Sequence, residues 1–369
     1  MFCKRKFLSI STLILGALLL AGCNTVVLNA PGDVAAQQGD LIIYATILML
    51  IVILPVMGLT AYFAWRYRDT NQDASYDPDW DHSISLEIVV WSVPLAIIIC
   101  LAGLTWVATH RLDPYKPLQR ISADQPISEE VEPMIIQVVA LDWKWMFIYP
   151  EHDVATINEV AVIVDRPVEF QLTSTTVMNA LYVPAMSGMI YAMAGMQTEL
   201  NAVMNEPGTY EGFSGNYSGE GFSHMRFDMH ATDEAEFDAW VAKVKDGGRK
   251  LDRLTFIELD KPTINHDVEY FDTIEGDMWR RIVNMCVGYD QLCQDDMMMV
   301  DALGGGGLEG LVNRQLFAGL CSAEDPNALF AALRPSKAKD REINITALLT
   351  SPVNDGNELQ MSTPAKGVN

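Results

Sequence analysis

Two long uncharged stretches constrain the fold of this chain more than any other feature. Leu41 to Trp65 and Ile88 to Thr109 contain no Asp, Glu, Lys or Arg. As α-helices rising about 1.5 Å per residue, both are long enough to cross the hydrocarbon core of a bilayer. Each contains a proline, which membrane helices tolerate where neighbouring helices or water satisfy the freed carbonyl. The sequence therefore predicts a hairpin of two transmembrane helices, 41–65 and 88–109, joined by a connector at 66–87.

The first 22 residues have the parts of a secretory signal peptide. Lys4-Arg5-Lys6 precede the apolar run Phe7 to Leu20, which is too short to span a membrane well. The run ends in Leu20-Ala21-Gly22-Cys23, the pattern of a bacterial lipoprotein processing site. We therefore expect cleavage after residue 22 and lipidation of Cys23. A first transmembrane helix with an incidental cysteine remains an alternative.

The expected lipid fixes the topology of the hairpin. A lipidated Cys23 places residues 23–40 in the periplasm, and two spans return the chain to the same side, so the large domain after residue 109 is expected there too. Basic residues agree only in part with this orientation. Arg66 and Arg68 open the cytoplasmic connector, whereas Arg111 and Lys116 follow the second helix on the outer side. The expected location is the bacterial inner membrane, with a multi-pass lipoprotein whose C-terminal domain is periplasmic.

The segment after the second helix has the pattern of a β-sandwich. A linker at 110–133 is rich in Pro, Ser, Asp and Glu. Met134 to Leu141 is then a strand-like apolar run, and Val168 to Leu172 alternates as a half-buried strand does. Gly and Pro punctuate the region at short intervals, which is typical of sandwiches with short connections. We therefore predict a β-sandwich over residues 134–231.

The C-terminal part carries helical signals. Asp233 precedes two glutamates in the manner of a helix N-cap, and the apolar residues Phe237, Trp240, Val241 and Val244 follow at helical spacing. We predict a short amphipathic helix within a C-terminal segment at 232–280, then a small helical appendage and flexible tail at 281–369. Cys286 and Cys293 could pair in an oxidising compartment, and the sequence leaves that open.

Residues 206–225, which read EPGTYEGFSGNYSGEGFSHM, have the spacing of a metal-binding loop. They resemble subunit II of haem-copper cytochrome c oxidases, where a Pro-Gly-x-Tyr turn leads into Cys-x-Glu-x-Cys-x3-His-x2-Met. In that family the loop and one histidine on an earlier strand hold a dinuclear copper centre on a cupredoxin sandwich. The earlier strand resembles Val177 to Pro184 here. The resemblance implies a two-helix transmembrane hairpin plus a periplasmic all-β cupredoxin-like sandwich, with a small helical C-terminal appendage.

The residues in the copper-ligand positions do not have the chemistry of copper ligands. In the order of the chain these six positions are Asn179, Ser214, Asn216, Ser218, Phe222 and Met225. Copper of this kind needs thiolate and imidazole, whereas a serine hydroxyl is a hard, weak donor and a phenylalanine ring donates nothing. We therefore expect no metal here. This departure resembles the quinol-oxidase branch, of the cytochrome bo type, whose electron donor is a membrane-soluble quinol.

Three further segments match that family. Glu87, at the start of the second membrane helix, resembles the carboxylate at the entrance of the family's K proton channel, which implies proton uptake; a carboxylate that only marks the interface is the alternative. Trp143 resembles an electron-receiving tryptophan of the copper-bearing branch, but without copper we expect it to serve in packing. Val268 to Phe271 resembles a segment of quinol-oxidase subunits.

The resemblance implies a function for the whole chain. We expect subunit II of a proton-pumping quinol oxidase that oxidises ubiquinol and reduces oxygen to water. No catalytic residue or cofactor is expected in this chain, because the haems and copper would reside in subunit I. The expected partners are subunit I, the other subunits, ubiquinol as substrate of the complex, and the bilayer, while a net charge of -23 argues against nucleic acid. Two alternatives remain: a copper-containing cytochrome c oxidase subunit, and a non-enzymatic lipoprotein that uses an empty cupredoxin as a binding module.

Overall fold

A computed structural model describes residues 25–71, 73–74, 79–127, 131–289, 291 and 293–302. The predicted signal peptide, Cys23 and the tail from residue 303 lie outside the described residues. The chain divides into two units, the first ending at Asp295. The second unit is described only as the remainder of a helix that ends at Ala302.

Two long helices form the predicted hairpin. Helix α1 (Asp33–Arg66) and helix α2 (Ile84–Arg111) are, among the described residues, the ones long and apolar enough to cross a membrane. Their apolar side chains are exposed, for example Leu54 at 60% and Trp91 at 77%. So much apolar surface is unfavourable in water and favourable in lipid, as in helices that span a membrane.

The rest of the described chain is short strands and helices. The strands are β1 (Arg120–Ser122), β2 (Gln125–Pro126), β3 (Met134–Leu141), β4 (Lys144–Tyr149), β5 (Val154–Ile157), β6 (Glu159–Ile163), β7 (Val168–Ser174), β8 (Asn179–Tyr182), β9 (Ile190–Ala192), β10 (Thr198–Ala202), β11 (Gly208–Ser214), β12 (Arg226–Thr232), β13 (Arg249–Leu251) and β14 (Glu269–Ile274). The helices are α3 (Glu234–Gly247), α4 (Arg253–Leu259), α5 (Met278–Val283) and α6 (Gln294–Ala302), with 3-10 turns at Val26–Leu28 and Phe222–His224.

Two sheets pack face to face as a sandwich. Within residues 134–274, one sheet has the order β10-β7-β3-β4-β5-β14-β13 and the other β6-β12-β11-β8-β9. Side chains from both sheets meet in the core, where the rings of Phe147 and Phe227 lie 4.9 Å apart. The predicted fold class, a membrane hairpin with a cupredoxin-like sandwich and small C-terminal helices, is confirmed.

Strand β3 is apolar at seven of its eight positions rather than alternating, because both of its faces are largely buried. Ile136 and Val138 face the core between the sheets, whereas Val139 and Leu141 face a second core cluster on the outer side of the larger sheet. That second cluster includes Phe256 of α4 and Ile282 of α5. A strand buried on both faces over most of its length is apolar at most positions, and the polar exception, Gln137, is half-buried.

The C-terminal segment is part of the larger sheet. Strand β14 pairs antiparallel with β5, with Phe271 opposite Ala155, and β13 pairs parallel with β14. The sheet thus extends beyond residue 231, where the sequence placed the end of the sandwich. Cys286 and Cys293, whose pairing the sequence left open, form a disulfide with Cα atoms 4.8 Å apart.

The first turn of α1 is fixed to the sandwich. The Gly32 N–H donates to the Ala185 carbonyl at 2.9 Å, and the Asp33 N–H donates to Asn205 Oδ1 at 3.0 Å. The Asp33 carboxylate also accepts two hydrogen bonds from the Arg120 guanidinium, at 2.8 and 2.9 Å. These contacts explain why α1 begins at Asp33 rather than at Leu41, the first residue of the uncharged stretch.

Two glycines allow close contacts along α1. A Cβ placed on Gly32 would lie 2.8–2.9 Å from three backbone carbonyl oxygens of the sandwich. Further along the helix, a Cβ placed on Gly39 would lie 2.7 Å from the Val27 carbonyl oxygen. The 3-10 turn at Val26–Leu28 therefore folds back against the helix beside Gly39.

Candidate functional site

The six residues in the copper-ligand positions surround one end of the smaller sheet. Asn179 begins β8, Ser214 ends β11, and Met225 directly precedes β12. These three are 1%, 3% and 1% exposed. A backbone hydrogen bond joins the end of β11 to the start of β12: the Ser214 N–H donates to the Met225 carbonyl at 3.1 Å.

A polar network joins three of these residues. The Ser214 hydroxyl lies 3.3 Å from Asn179 Oδ1, to which it donates, and also 3.3 Å from the Asn216 carbonyl. The Asn179 and Asn216 side-chain amides donate to the backbone carbonyls of Val177 and Met178, at 3.0 and 2.9 Å. The structure therefore brings Asn179, Ser214 and Asn216 together as a hydrogen-bonded group.

Ser218 and Phe222 lie on the outer part of the loop. The Ser218 carbonyl accepts a hydrogen bond from Trp143 Nε1 at 3.0 Å, and its buried hydroxyl has no hydrogen-bond partner among the described residues. The Phe222 ring lies 5.5 Å from that of Tyr217. These residues are held by backbone and aromatic contacts, so neither is joined by its side chain to the Asn179–Ser214–Asn216 group.

Trp143 packs directly on the loop. It lies in the two-residue turn between β3 and β4, with a φ of 65°. A Cβ placed on Gly221 would lie 2.4 Å from Trp143 Cδ2, so only glycine allows the ring this close. Left-handed backbone is uncommon for a bulky residue, and here the Ser218 hydrogen bond and the ring contact hold it. This is the packing contact that the sequence analysis expected of Trp143.

The donor set at this end of the sandwich does not fit a dinuclear copper centre. Two hydroxyls stand where bridging thiolates are required, and the Ser214 hydroxyl is occupied by hydrogen bonds. Asn179 offers an amide in place of an imidazole, and Phe222 offers a ring without a donor atom. The thioether of Met225 alone cannot hold two metal ions. We derive no electron-transfer step through this site.

Glu87 lies in the first turn of α2, at the opposite end of the hairpin from the sandwich. Its Oε1 is 2.7 Å from His82 Nδ1, and the two side chains are 55% and 56% exposed. Both line a shallow recess formed by residues 80–91. His82 was not predicted from the sequence, where its position just before the helix that carries Glu87 was the available signal.

A buried ionisable pair lies beside the Trp143 turn. The ammonium of Lys144, a fully buried residue, donates to the Lys261 carbonyl at 2.9 Å and to the Thr263 hydroxyl at 3.2 Å. Desolvation lowers the pKa of Lys144, although the carboxylates of Asp260 and Asp142 oppose that shift. Burial likewise raises the pKa of Asp260. These contacts attach the loop after α4 to the β3–β4 turn.

A second polar cluster holds the C-terminal segment against the sandwich. The Glu159 carboxylate, 12% exposed, accepts hydrogen bonds from Trp240 Nε1 at 2.6 Å and from the Tyr270 hydroxyl at 3.0 Å. The Tyr270 hydroxyl also accepts a hydrogen bond from the Lys243 ammonium at 2.8 Å, which raises the pKa of Lys243. The cluster thus joins β6, α3 and β14.

Exposed apolar side chains surround the loop. We define the loop-end apolar surface as five residues that are 42–75% exposed: Val177, Met178, Met189, Tyr191 and Tyr217. Two contacts tie β9 and the residue before it to the strands around the loop: Tyr191 pairs opposite Ala180 in β8, and a Cβ placed on Gly215 would lie 3.2 Å from Met189 Sδ. Apolar side chains grouped in this way mark interaction sites in folded proteins.

Comparison with known proteins finds relatives over most of the chain. The profile of the COX Aromatic Rich Motif family matches residues 245–289, which include β14 and α5. Cytochrome bo(3) ubiquinol oxidase subunit 2 of Pseudomonas putida is 45% identical over 277 residues, covering 75% of this chain and 85% of the relative. Ubiquinol oxidase subunit 2 of Acetobacter aceti is 47% identical over 267 residues, covering 72% and 84%. Among solved structures, the periplasmic domain of subunit II of cytochrome oxidase from Bradyrhizobium japonicum is 21% identical, with a TM-score of 0.30, covering 33% of this chain and 96% of that one.

Proposed function

Because this chain belongs to the family of cytochrome bo(3) ubiquinol oxidase subunit 2, we propose that it is subunit II of a bacterial terminal oxidase complex that oxidises ubiquinol and reduces oxygen to water. Its relatives are subunits of an oxidoreductase complex. The observation that carries the assignment to the quinol branch is the donor set at the loop, where hydroxyl, amide and phenyl groups stand in the copper-ligand positions.

In this proposal the chain is a non-catalytic subunit. The haems and the copper reside in subunit I, and electrons do not pass through the sandwich. The Asn179–Ser214–Asn216 hydrogen bonds support this role, because they stabilise the loop without a metal. A buried polar group destabilises the fold unless it has a hydrogen-bond partner. This network gives its buried members such partners.

The same proposal assigns partners to the exposed surfaces. The apolar faces of α1 and α2 contact the bilayer and the membrane helices of subunit I. The loop-end apolar surface rests on subunit I. In support, its five residues are exposed in the isolated chain, and burying them against a partner gains the free energy of removing apolar area from water. Subunit II then covers and stabilises subunit I.

We assign proton uptake from the cytoplasm to Glu87. Its position at the connector end of the hairpin supports this, because that end lies opposite the periplasmic sandwich. A carboxylate at the headgroup level exchanges protons readily with water, and Glu87 is more than half exposed. Proton pumping itself belongs to the complex.

The proposal also covers targeting. Residues 1–22 are a signal peptide, Cys23 carries the lipid, and the sandwich is in the periplasm as part of an inner-membrane multi-pass lipoprotein. The hairpin geometry supports this topology, since the first turn of α1 contacts the sandwich and both helices are apolar along their length.

Purification of the native complex in detergent tests the assignment. We expect the chain to co-purify with a haem-bearing multi-helix partner, and the chain separated from that partner to contain no stoichiometric copper. Copper with charge-transfer absorption in the separated chain would favour the cytochrome c oxidase alternative. A chain that purifies without a haem protein would favour the non-enzymatic lipoprotein.

A further inference from the structure

The carboxylate assigned to proton uptake has a titratable partner in this chain. His82 Nδ1 lies 2.7 Å from Glu87 Oε1, a distance typical of a charge-assisted hydrogen bond. His82 lies two residues before α2 begins at Ile84, and the backbone N–H of Glu87 donates to the Ser83 carbonyl at 3.0 Å. The start of the helix thus holds the imidazole and the carboxylate on the same side of one turn.

We propose that His82 is a positioning and proton-relay residue for Glu87, and that the pair rather than the carboxylate alone collects protons from the cytoplasm. The inference rests on the proposed uptake role of Glu87. An imidazole can take up a proton at one ring nitrogen and release one from the other, which suits it to passing protons from water to a neighbouring carboxylate. More than half of the His82 side chain is exposed, so water reaches the ring.

The transfer is balanced in protons. In the tautomer with its hydrogen on Nδ1, His82 donates to Glu87 Oε1 and leaves Nε2 free to accept a proton from hydronium. The imidazolium then transfers its Nδ1 proton to the carboxylate, which leaves a neutral ring protonated on Nε2 and a neutral Glu87. Glu87 passes that proton to the path in subunit I. Exchange with water returns the ring to its first tautomer with no net change in protons.

Among the described residues that line the recess, one further side chain is charged. Asp81 is the other titratable residue lining the recess at residues 80–91, and the remaining lining residues are apolar, aromatic or hydroxyl-bearing. Asp81 increases the negative potential at the recess and so favours protons there. Among the described residues, the recess is lined by α2 and the segment that precedes it, with no lining residue from α1.

Two substitutions separate relay from positioning. His82→Gln keeps a side-chain amide that can donate a hydrogen bond to Glu87 but cannot carry a proton, and His82→Ala removes both properties. We expect His82→Gln to slow proton uptake during turnover of the assembled complex several-fold in weakly buffered medium. We also expect added imidazole to restore the rate of His82→Ala. The matched control is His110→Gln, an exposed histidine at the other end of α2, which should leave the rate unchanged.

The experiment measures proton uptake of the purified complex in vesicles as a function of pH and buffer concentration. Glu87→Ala is measured in parallel. If Glu87→Ala leaves uptake unchanged, the proposed uptake role of Glu87 is wrong. If Glu87→Ala slows uptake but His82→Gln matches the unsubstituted complex, the relay is wrong and the uptake role stands. Slow uptake in both, with imidazole rescue of His82→Ala, supports the pair.

Discussion

At the scale of single residues, hydrogen-bonded side chains occupy three of the copper-ligand positions of the loop. Residue type decided the chemistry, so the sequence alone was sufficient to predict that these donors do not suit copper. It could not show that the Ser214 hydroxyl would bond to Asn179 Oδ1, because two strands far apart in sequence must pair before these atoms meet. The Trp143 contact with Gly221 was likewise beyond prediction, since it depends on the left-handed turn.

Restoring the ligands tests whether the backbone still has the geometry of a copper site. The substitutions Asn179→His, Ser214→Cys, Asn216→Glu, Ser218→Cys and Phe222→His, beside the existing Met225, supply the thiolates and imidazoles that copper requires. We expect a coloured dinuclear site, measured by copper content and absorption. The control retains Ser214 and Ser218 with the other three substitutions, and it should not bind a copper pair. If the full set never binds copper, the alignment of the loop is wrong.

The buried Lys144 predicts a pH dependence of stability. Because desolvation lowers its pKa in the folded chain below the ordinary 10.5, the unfolded chain holds a proton there that the folded chain has released. Stability therefore rises with pH from the lowered folded pKa up to about 10.5. We expect the unfolding free energy of the unsubstituted chain, minus that of Lys144→Met, to increase as the pH rises toward 10.5.

Thermal unfolding of the full chain in detergent at several alkaline pH values measures this difference. The control is Lys250→Met, at an exposed lysine of β13, for which the difference should stay constant with pH. A Lys144→Met difference that stays flat through the same range would contradict the pKa shift.

At the scale of elements, local sequence patterns predicted individual helices, whereas they did not predict which distant strands pair. Helix α3 begins after Asp233, whose carboxylate accepts the Glu236 N–H at 2.8 Å, as the N-cap pattern predicts. Of the predicted apolar stripe, Phe237, Val241 and Val244 are buried, and Trp240 is half-buried. By contrast, no local pattern indicates that β14 pairs with β5, because that pairing depends on burial of Phe271 against a strand from another part of the chain.

The junction of α1 with the sandwich gives a prediction about this element. In Gly32→Ala the new methyl group would meet three backbone carbonyl oxygens, which cannot move away without disturbing the sandwich. Overpacking of this kind typically destabilises by roughly 1–3 kcal/mol. We expect a lower unfolding temperature of the sandwich in detergent and faster proteolysis near Pro31. Gly58→Ala, where a Cβ meets nothing within 4 Å, is the control and should change neither.

At the scale of the whole molecule, two of the apolar surfaces exposed among the described residues are those of the membrane helices and the loop end. The first was evident from the sequence, because an uncharged stretch of that length has few other uses. The second was not, because β8 and β9, which follow Met178 and Met189, come together only through strand pairing in the smaller sheet.

Charge on the loop-end apolar surface should weaken assembly. The double variant Met178→Glu and Tyr217→Glu places two carboxylates on a surface that we propose to be buried against subunit I. Loss of central interface residues typically reduces binding by about 1–2 kcal/mol or more. We expect a lower ratio of haem to subunit II after detergent purification. Ala239→Glu, on the exposed face of α3, should leave the ratio unchanged, and equal ratios in all three proteins would show that this surface is not an interface.

The turn at Val26–Leu28 has a consequence for how the N-terminus meets the membrane. Its contact with Gly39 brings the chain back to the level of Asp40 and Leu41, where the uncharged part of α1 begins. The lipid that we propose for Cys23 would then need no extended tether to reach the bilayer. With that lipid, the N-terminal anchor and α1 would attach the sandwich to the membrane side by side.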